Sequence, residues 1–146
     1  MIDRFHNEYA FLSNFYPSPI YVEGLRYPSV EHAYQAAKTD DSLHREVIRS
    51  MPTAVSAKRF GRSGTITLIA GWDNKRMEVM TYLLGLKFSA PSLRVKLLAT
   101  YPHELVERNV WKDVYWGVYN GKGENHLGKL LMTLRSSMQT EDNLNA

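Results

Sequence analysis

The sequence contains no cysteine. This excludes disulfide bonds, thiolate metal sites and a cysteine nucleophile, and it is compatible with a reducing compartment. No stretch approaches the roughly 18 consecutive apolar residues that a membrane-spanning helix needs. The chain begins Met-Ile-Asp-Arg-Phe-His, with no basic region leading into an apolar stretch, so no secretory signal is expected. These absences predict a cytoplasmic protein that does not enter a membrane.

Repeats, low-complexity segments and internal linkers are also lacking. A chain of 146 residues suits one domain with a real core, which we expect over residues 1–138, before a frayed polar tail over 139–146. A hydrophobic content of 44% and a charged content of 23% are those of an ordinary globular protein. The net charge of +3 favours an anionic ligand only weakly. The five histidines show no ligand spacing, so we predict no metal and no other cofactor.

Turn residues and apolar periodicity together predict a mainly helical α+β fold with a small sheet. A hairpin is expected where Ile20–Val22 and Leu25–Tyr27 flank Glu23-Gly24. Two more short strands are expected over residues 105–106 and 114–119. The expected helices run from N-cap Ser29 to Lys38, from Asp41 or Ser42 to about Ser50, from Pro52 to near Gly61, from N-cap Asp73 to a stop at Pro91, from Ser92 to Thr100, and from about Leu127 to Met138. The helix that starts at Asp73 is expected to be the longest.

The segment from Pro28 to Lys38 carries the strongest chemical signal. At about 100° per residue, Glu31, Gln35 and Lys38 fall on one helical stripe with Tyr34 at its edge. The opposite side holds valine and alanines, which allow close packing. A carboxylate, an amide, a phenol and an amine on one rigid support can carry out acid–base or amine chemistry. The alternative interpretation is a solvated glutamate in the first turn and an ordinary surface lysine.

Other candidate residues are spread along the chain, and each has a structural alternative. The Trp72 ring could stack on a nucleobase or belong to the edge of the core. Asp113 could be an acid or a turn residue. Arg59 and Arg62 could bind phosphate through their guanidinium groups, or be solvated at a helix end. Lys58 is an alternative amine.

A glycine-rich loop leads into the last predicted helix. The segment 117–125 contains Gly117, Lys122 and Asn125, and glycine-freed amides at a helix start can hold phosphate. Its spacing differs from both the Walker and the dinucleotide fingerprints, so the signal is weak by itself. Asn125 could cap the helix or bind a ligand. Near the other end of the chain, Asn14 could shape a pocket or belong to a buried aromatic turn.

Four segments in order resemble the NADAR, or YbiA-like, family. They are Phe11-Leu-Ser-Asn-Phe-Tyr-Pro, Tyr27 to Lys38, Ala57-Lys-Arg-Phe-Gly-Arg62 with Gly71-Trp-Asp73, and Asp113-Val-Tyr-Trp-Gly117 running on to Met132. They span roughly residues 5 to 138, and four motifs in register are a specific signal where one would not be. One departure is Val118-Tyr119, where smaller or glycine-rich residues are expected in many relatives. Bulk there could narrow the pocket and change the choice of substrate.

The resemblance implies a compact domain that cleaves N-glycosidic bonds of phosphorylated ribose compounds. Activities of the family include destruction of ribosylamino-pyrimidine intermediates of riboflavin synthesis and removal of ADP-ribose from guanine, which could lie in nucleic acid. The resemblance implies that Glu31 and Asp113 are active-site acids. It also implies that Lys38 is an amine that forms a Schiff base or anchors the substrate. It implies a substrate pocket to which we assign these residues: Asn14, Gln35, Arg59, Arg62, Trp72, Trp116, Gly117, Lys122 and Asn125.

A second hypothesis is a binding module that recognises ADP-ribose or NAD without cleaving it. Hydrolysis is favoured because an acid and an amine on one helix face are more reactive apparatus than binding requires. No obligate protein partner is expected.

Overall fold

The computed structural model describes all 146 residues and contains six α-helices, one 3-10 helix and two strands. In chain order they are the 3-10 helix Asn7–Leu12, β1 Ile20–Val22, β2 Leu25–Tyr27, α1 Val30–Ala37, α2 Ser42–Arg49, α3 Ala54–Gly61, α4 Trp72–Lys87, α5 Pro91–Leu98 and α6 His126–Leu144. The strands form a single two-stranded antiparallel sheet. This is the mainly helical α+β class that the sequence predicted. None of the helices combines the length and apolar character that a membrane span needs.

The chain divides into two compact units. The central unit, Asn14–Lys87, holds the hairpin and α1 to α4. The terminal unit, Met1–Ser13 with Phe88–Ala146, holds the 3-10 helix, α5, α6 and the long loop between them.

The hairpin of the central unit forms as its turn residues predict. Ile20 pairs with Tyr27, and both turn residues, Glu23 and Gly24, have positive φ angles of 52° and 79°. A two-residue hairpin loop needs left-handed backbone because its twist must match that of the strands. Alanines on α1 let that helix pack closely, and the core that it joins includes Met80, Leu83 and Leu84 of α4.

Side-chain caps begin the first three helices of this unit. The Ser29 hydroxyl accepts from the amide of His32 at 3.2 Å, and an Asp41 carboxylate oxygen accepts from the amide of Leu43 at 2.9 Å, as predicted. The start of α3 differs from the prediction. Thr53, with Ser56, forms a reciprocal capping box, so the helix begins at Ala54 and Pro52 lies outside it.

The predicted boundaries of α4 were wrong at both ends. The helix begins at Trp72 because Gly71, with φ at 72°, turns the chain immediately before it, so Asp73 lies in the first turn and is not the N-cap. At the other end the helix stops at Lys87, and Pro91 opens α5. Proline suits the first position of a helix because the backbone N–H that it lacks would have no partner within the helix there.

The terminal unit is built on a core that includes Leu97, Leu105 and Leu131, all fully buried. Phe11 meets Phe88 edge to face, with ring centroids 6.5 Å apart. The buried Arg135 ties α6 to the segment after α5, since its guanidinium donates to the Thr100 hydroxyl at 2.9 Å and the His103 carbonyl at 2.8 Å.

The two extra strands predicted for this unit do not form. Residues 105–106 and 114–119 contribute isolated bridges only: Ile2 with Leu105, Arg108 with Val118, and Tyr119 with Lys122. Lys112 and Asn120 have positive φ angles of 67° and 50°, so the chain turns too often for a ladder to extend.

The last helix is longer than predicted and, with 19 residues, exceeds the 16 of α4. Its final turns are exposed but are held from the side by Arg94, whose guanidinium donates to Asp142 at 2.7 Å and to the Met138 carbonyl at 3.3 Å. This contact ties the last turns of α6 to α5.

Candidate active site

Glu31 and Gln35 lie together on α1, as their spacing predicts, but both are buried. Their exposed fractions are 6% and 2%, and Gln35 Nε2 donates to Glu31 Oε1 at 2.8 Å. A glutamate in the first turn of a helix is usually solvated, so this environment is unusual. The buried carboxylate is therefore held in a defined orientation by its amide neighbour.

Two buried amide oxygens beside this carboxylate have no hydrogen-bond partner. One is Gln35 Oε1 and the other is Oδ1 of Asn14. Asn14 is attached to the start of α1 because its carbonyl accepts from the Glu31 amide at 3.1 Å, and its side-chain nitrogen donates to Met80 Sδ at 3.4 Å. Orphaned buried acceptors are rare in folded proteins.

Gly61 of α3 packs directly against Gln35. A Cβ placed on Gly61 would lie 2.1 Å from Gln35 Oε1 and 2.8 Å from Gln35 Cδ. Glycine is therefore required there by the closeness of α3 to α1, and it fixes the position of the amide that holds Glu31.

The amine of Lys38 points back along α1. Its Nζ lies 5.5 Å from the centroid of the Tyr34 ring, one turn earlier in the helix. Burial lowers the pKa of Lys38, and the Glu31 carboxylate raises it in part. The neutral, nucleophilic form of this amine is therefore more accessible than in an exposed lysine.

Three further cations act on the same amine. Arg62, Lys58 and Arg76 each lower the pKa of Lys38 through charge repulsion. Lys58 and Arg62 are one turn apart on or just after α3, whereas Arg59 is exposed and lies about 100° round the helix from Lys58. Lys58 Nζ also lies 5.5 Å from the centroid of the Phe15 ring. A carboxylate and an amine surrounded by cations form a site suited to an anionic substrate.

Trp72 is buried, with 6% of its surface exposed, and the centroid of its ring lies 5.4 Å from the centroid of the Tyr34 ring. It therefore forms part of the support beneath the amine of Lys38. The stacking of this indole on a base remains a prediction.

Arg76 was not identified from the sequence. It lies one turn after Trp72 on α4, and this i, i+4 relation is the local signal that could have found it.

In the terminal unit, Asp113 orders its own loop. Its Oδ1 accepts from the amides of Tyr115 at 3.0 Å and Trp116 at 2.8 Å. The buried Asn109, a residue missed by the sequence analysis, binds the main chain of Asp113 on both sides, with its amide nitrogen on the carbonyl at 2.9 Å and its oxygen on the amide at 3.0 Å. The turn role is thus observed for Asp113, and its role as an acid remains a prediction.

The glycine loop does not present free amides at the start of α6. Four consecutive amides, those of residues 124 to 127, all donate to carbonyls of residues 114 to 117 at 2.8–3.3 Å. These amides cannot also bind phosphate, which corrects the expectation drawn from the loop. Lys122 is exposed in the turn and remains a candidate cation.

Gly117 and Asn125 hold the same loop together. A Cβ on Gly117 would lie 2.1 Å from the Glu107 carbonyl oxygen, so only glycine fits. Asn125 stands at the N-cap position but makes no capping bond with its side chain. Its amide instead bridges the Leu105 carbonyl at 3.0 Å and the Glu107 amide at 2.9 Å.

Trp116 belongs to an aromatic cluster with Tyr115 and His126. Its ring centroid lies 4.8 Å from that of Tyr115, which in turn lies 4.5 Å from that of His126. His126 Nε2 is 3.1 Å from Glu124 Oε2. The half-buried Trp116 remains a predicted binding residue.

Fold and site together define a small α+β protein with a buried acid and a shielded amine on one helix. The chain belongs to the NADAR domain family, whose model matches residues 2–139.

Known proteins support the assignment. The chain is 42% identical over 137 residues to N-glycosidase YbiA of Shigella flexneri. The aligned region covers 92% of this chain and 85% of that protein. It is 39% identical over 133 residues to a riboflavin biosynthesis protein of Vibrio vulnificus, covering 90% of this chain and 36% of that protein. The NMR structure of Escherichia coli YbiA matches with a TM-score of 0.84 at 39% identity, over 97% of this chain and 89% of that one.

Proposed function

We propose that this protein hydrolyses the N-glycosidic bond of a phosphorylated ribose compound. The protein is a glycosidase, in agreement with the names of its relatives from Shigella and Escherichia coli. The observation that carries the proposal is the pairing of the buried Glu31 with Gln35, on the helix that also bears Lys38.

An N-glycosidase must stabilise positive charge on the sugar as the base departs, and must ease the departure of the leaving nitrogen. We assign the first task to Glu31, whose carboxylate either faces the anomeric carbon or activates water. Its burial strengthens that electrostatic effect because little water screens it. Asp113 is the proposed second acid, which protonates the leaving nitrogen.

Lys38 has two possible roles in this reaction. As an amine it attacks C1 of the ribosyl group, so that a bond from Nζ to C1 replaces the bond from C1 to the base, and water then hydrolyses the Schiff base that results. As a cation it anchors the substrate. The lowered pKa favours the first role because attack needs the neutral amine.

The substrate is proposed to carry phosphate because Lys58, Arg62 and Arg76 surround the amine. Two substrate classes meet this requirement, ribosylamino-pyrimidine phosphates and guanine-linked ADP-ribose. The relative from Vibrio vulnificus that is named for riboflavin biosynthesis supports the first class.

Mass spectrometry of products tests the function. The purified protein would be incubated with ribosylamino-pyrimidine phosphates, guanine-ADP-ribosylated DNA, NAD and ADP-ribose. We expect release of the base from one class, and loss of that release in Glu31→Gln, which has the same shape but no charge. Glu8→Gln, at an exposed position of the 3-10 helix, is the matched control and should retain full turnover.

Wild-type turnover in Glu31→Gln would contradict the assignment of the acid. A ligand that binds the wild type but stays intact for hours would indicate the non-catalytic binding module instead.

A further inference from the structure

A cavity lies on the side of α1 that faces away from Glu31. It has a volume of about 400 Å³ and is open on one side. We call it the rear cavity. Its lining comes from the hairpin, α1, α2 and α4: Val22, Glu23, Tyr27, Ala33, Ala36, Ala37, Arg45, Lys75, Glu78, Val79, Tyr82 and Leu83. Sites for small molecules commonly measure about 300–1,000 Å³, so the size is sufficient.

The floor of the rear cavity is apolar. It is formed by Ala33, Ala36 and Ala37, which lie about 180° round α1 from the stripe of Glu31, Gln35 and Lys38. Methyl side chains leave space beside the helix, whereas longer ones would fill it. An apolar floor suits the face of a ring.

Two tyrosine side chains, those of Tyr27 and Tyr82, line the rear cavity beside this floor. Tyr82 is 56% exposed although it lines the cavity, and a ring bound there would cover part of it. Aromatic pairs gain about 0.5–1.5 kcal/mol beyond the area that they bury. Stacking on Tyr82 would thus favour an aromatic occupant over an aliphatic one.

The polar end of the cavity carries no unbalanced charge. Arg45 already contacts Glu23 at 3.6 Å and Asp40 at 3.7 Å, and donates to the Thr39 carbonyl. On α4, Lys75 and Glu78 have opposite charges one turn apart. An ion entering this cavity would find no surplus counter-charge, so a neutral molecule fits better.

Hydrogen bonding is nevertheless available at this end. The buried Tyr27, which carries a phenol, and Arg45, which carries a guanidinium, both line the cavity. A phenol hydroxyl both donates and accepts, so it can recognise a ring nitrogen or a carbonyl.

We propose that the rear cavity is a second ligand site, which binds a neutral planar heteroaromatic molecule. None of its lining residues belongs to the Glu31 face, so the two sites can be tested separately.

Amide NMR titration of the labelled protein is the test, with adenine and quinazolin-4-one as neutral probes and naphthalene-2-sulfonate as the charged comparator. We expect saturable shifts at the amides of Val22, Ala33, Ala37 and Val79. The sulfonate should bind about tenfold more weakly because its charge lacks a counter-charge there.

Two variants locate the binding. Ala37→Leu places a larger side chain in the cavity and should weaken binding about tenfold, whereas Ala99→Leu, the same change at an exposed position outside it, should have no effect. Tyr82→Ala changes an exposed residue and should also weaken binding, even if Ala37→Leu does not fold.

Three results would overturn the proposal: no saturable shift at the lining amides with millimolar neutral probe, shifts confined to the Glu31 face, or unchanged binding in a folded Ala37→Leu and in Tyr82→Ala.

Discussion

Gly61 shows how one missing side chain positions the site. Its Cα faces Gln35 so closely that a methyl group there would displace the amide, since the nearest atom would lie 2.1 Å away. Because Gln35 donates to Glu31, a change on α3 reaches the proposed catalytic carboxylate through one hydrogen bond.

We predict that Gly61→Ala lowers kcat/KM about tenfold or more, since a misplacement of about 1 Å can cost about 100-fold in rate. Because Gln35 is buried and the new methyl would also lie 3.0 Å from Gln35 Cβ, the unfolding free energy should fall by about 1–3 kcal/mol as well. Steady-state kinetics and urea unfolding would measure the two effects.

Gly85→Ala is the matched control. It lies within α4 with no atom in the path of a new methyl, so it should stabilise the protein by about 0.5–1 kcal/mol and leave kcat/KM unchanged. Equal activity of Gly61→Ala and wild type would show that Gln35 does not position Glu31.

The electrostatic environment of Lys38 gives a prediction about pH. The positive charge of Arg62 lowers the pKa of Lys38, so removing it makes the protonated amine more stable and raises that pKa. If the neutral amine attacks the sugar, activity rises with pH through the pKa of Lys38. In Arg62→Gln the rise should therefore move to higher pH. The pH profile of kcat, taken at saturating substrate, would detect it.

Arg26→Gln is the control, because Arg26 is exposed on β2 and is not one of the charges that act on Lys38. An unshifted profile in Arg62→Gln, with wild-type kcat, would indicate that Lys38 acts only as an anchoring cation.

At the scale of single residues, the sequence predicts which side chains are neighbours along a helix but not whether they are buried or which charges surround them. The spacing of Glu31 and Gln35 was sufficient to put them side by side, because i, i+4 positions adjoin in any α-helix. Their burial depends on α3 and on Asn14, which are distant in sequence. Arg76 was missed for the same reason, since only the packing of α4 brings its charge near Lys38.

Among the elements, the loop of residues 109–117 is ordered by Asp113, which is also the proposed second acid. The Asp113 carboxylate accepts two backbone amides, and Asn109 binds both sides of the Asp113 main chain. In Asp113→Asn the side chain keeps the oxygen that accepts these bonds but loses the negative charge. In Asp113→Ala both the oxygen and the charge are lost.

Asp113→Ala should therefore destabilise the protein by about 1–3 kcal/mol, and Asp113→Asn by clearly less. If Asp113 is the second acid, Asp113→Asn should still fold but lose most of its turnover. Thermal unfolding and product analysis of both variants would separate the roles. A fully active Asp113→Asn would leave Asp113 with its turn role alone.

Elements specified by adjacent residues were predicted well, and those that need a distant partner were not. The Glu23-Gly24 hairpin and the caps at Ser29 and Asp41 depend on contacts within a few residues. The expected strands at 105–106 and 114–119 would have needed partners across the terminal unit. There the carbonyls of residues 114–117 instead accept from the amides of residues 124–127, across the glycine loop, and no helix or strand periodicity indicates this contact.

At the scale of the whole molecule, a buried lysine links stability to pH. Lys87 is 1% exposed, its Nζ lies 5.7 Å from the centroid of the Tyr16 ring, and burial lowers its pKa to about 7 from 10.5. Between these values the unfolded chain holds a proton that the folded protein has released. Stability contributed by this group therefore rises with pH through that window.

We predict that the unfolding free energy of wild type, relative to Lys87→Met, increases by up to about 1.4 kcal/mol per pH unit between pH 7 and 10.5. Below pH 7 the difference should level off, with the variant the more stable. Urea unfolding across the range measures this. Lys129→Met, at an exposed position of α6, should show no such dependence, and a flat difference for Lys87→Met would refute the prediction.

The sequence by itself determined the helices and hairpin of this protein, the grouping of Glu31, Gln35 and Lys38, and its resemblance to the NADAR family. All of these depend on residues close together in the chain or on motifs in a fixed order. Tertiary structure alone decided that Glu31 is buried, that cations from α3 and α4 surround Lys38, and that the amides at the start of α6 are already occupied. The physical reason is that desolvation and charge act through space, and only packing brings distant segments within their range.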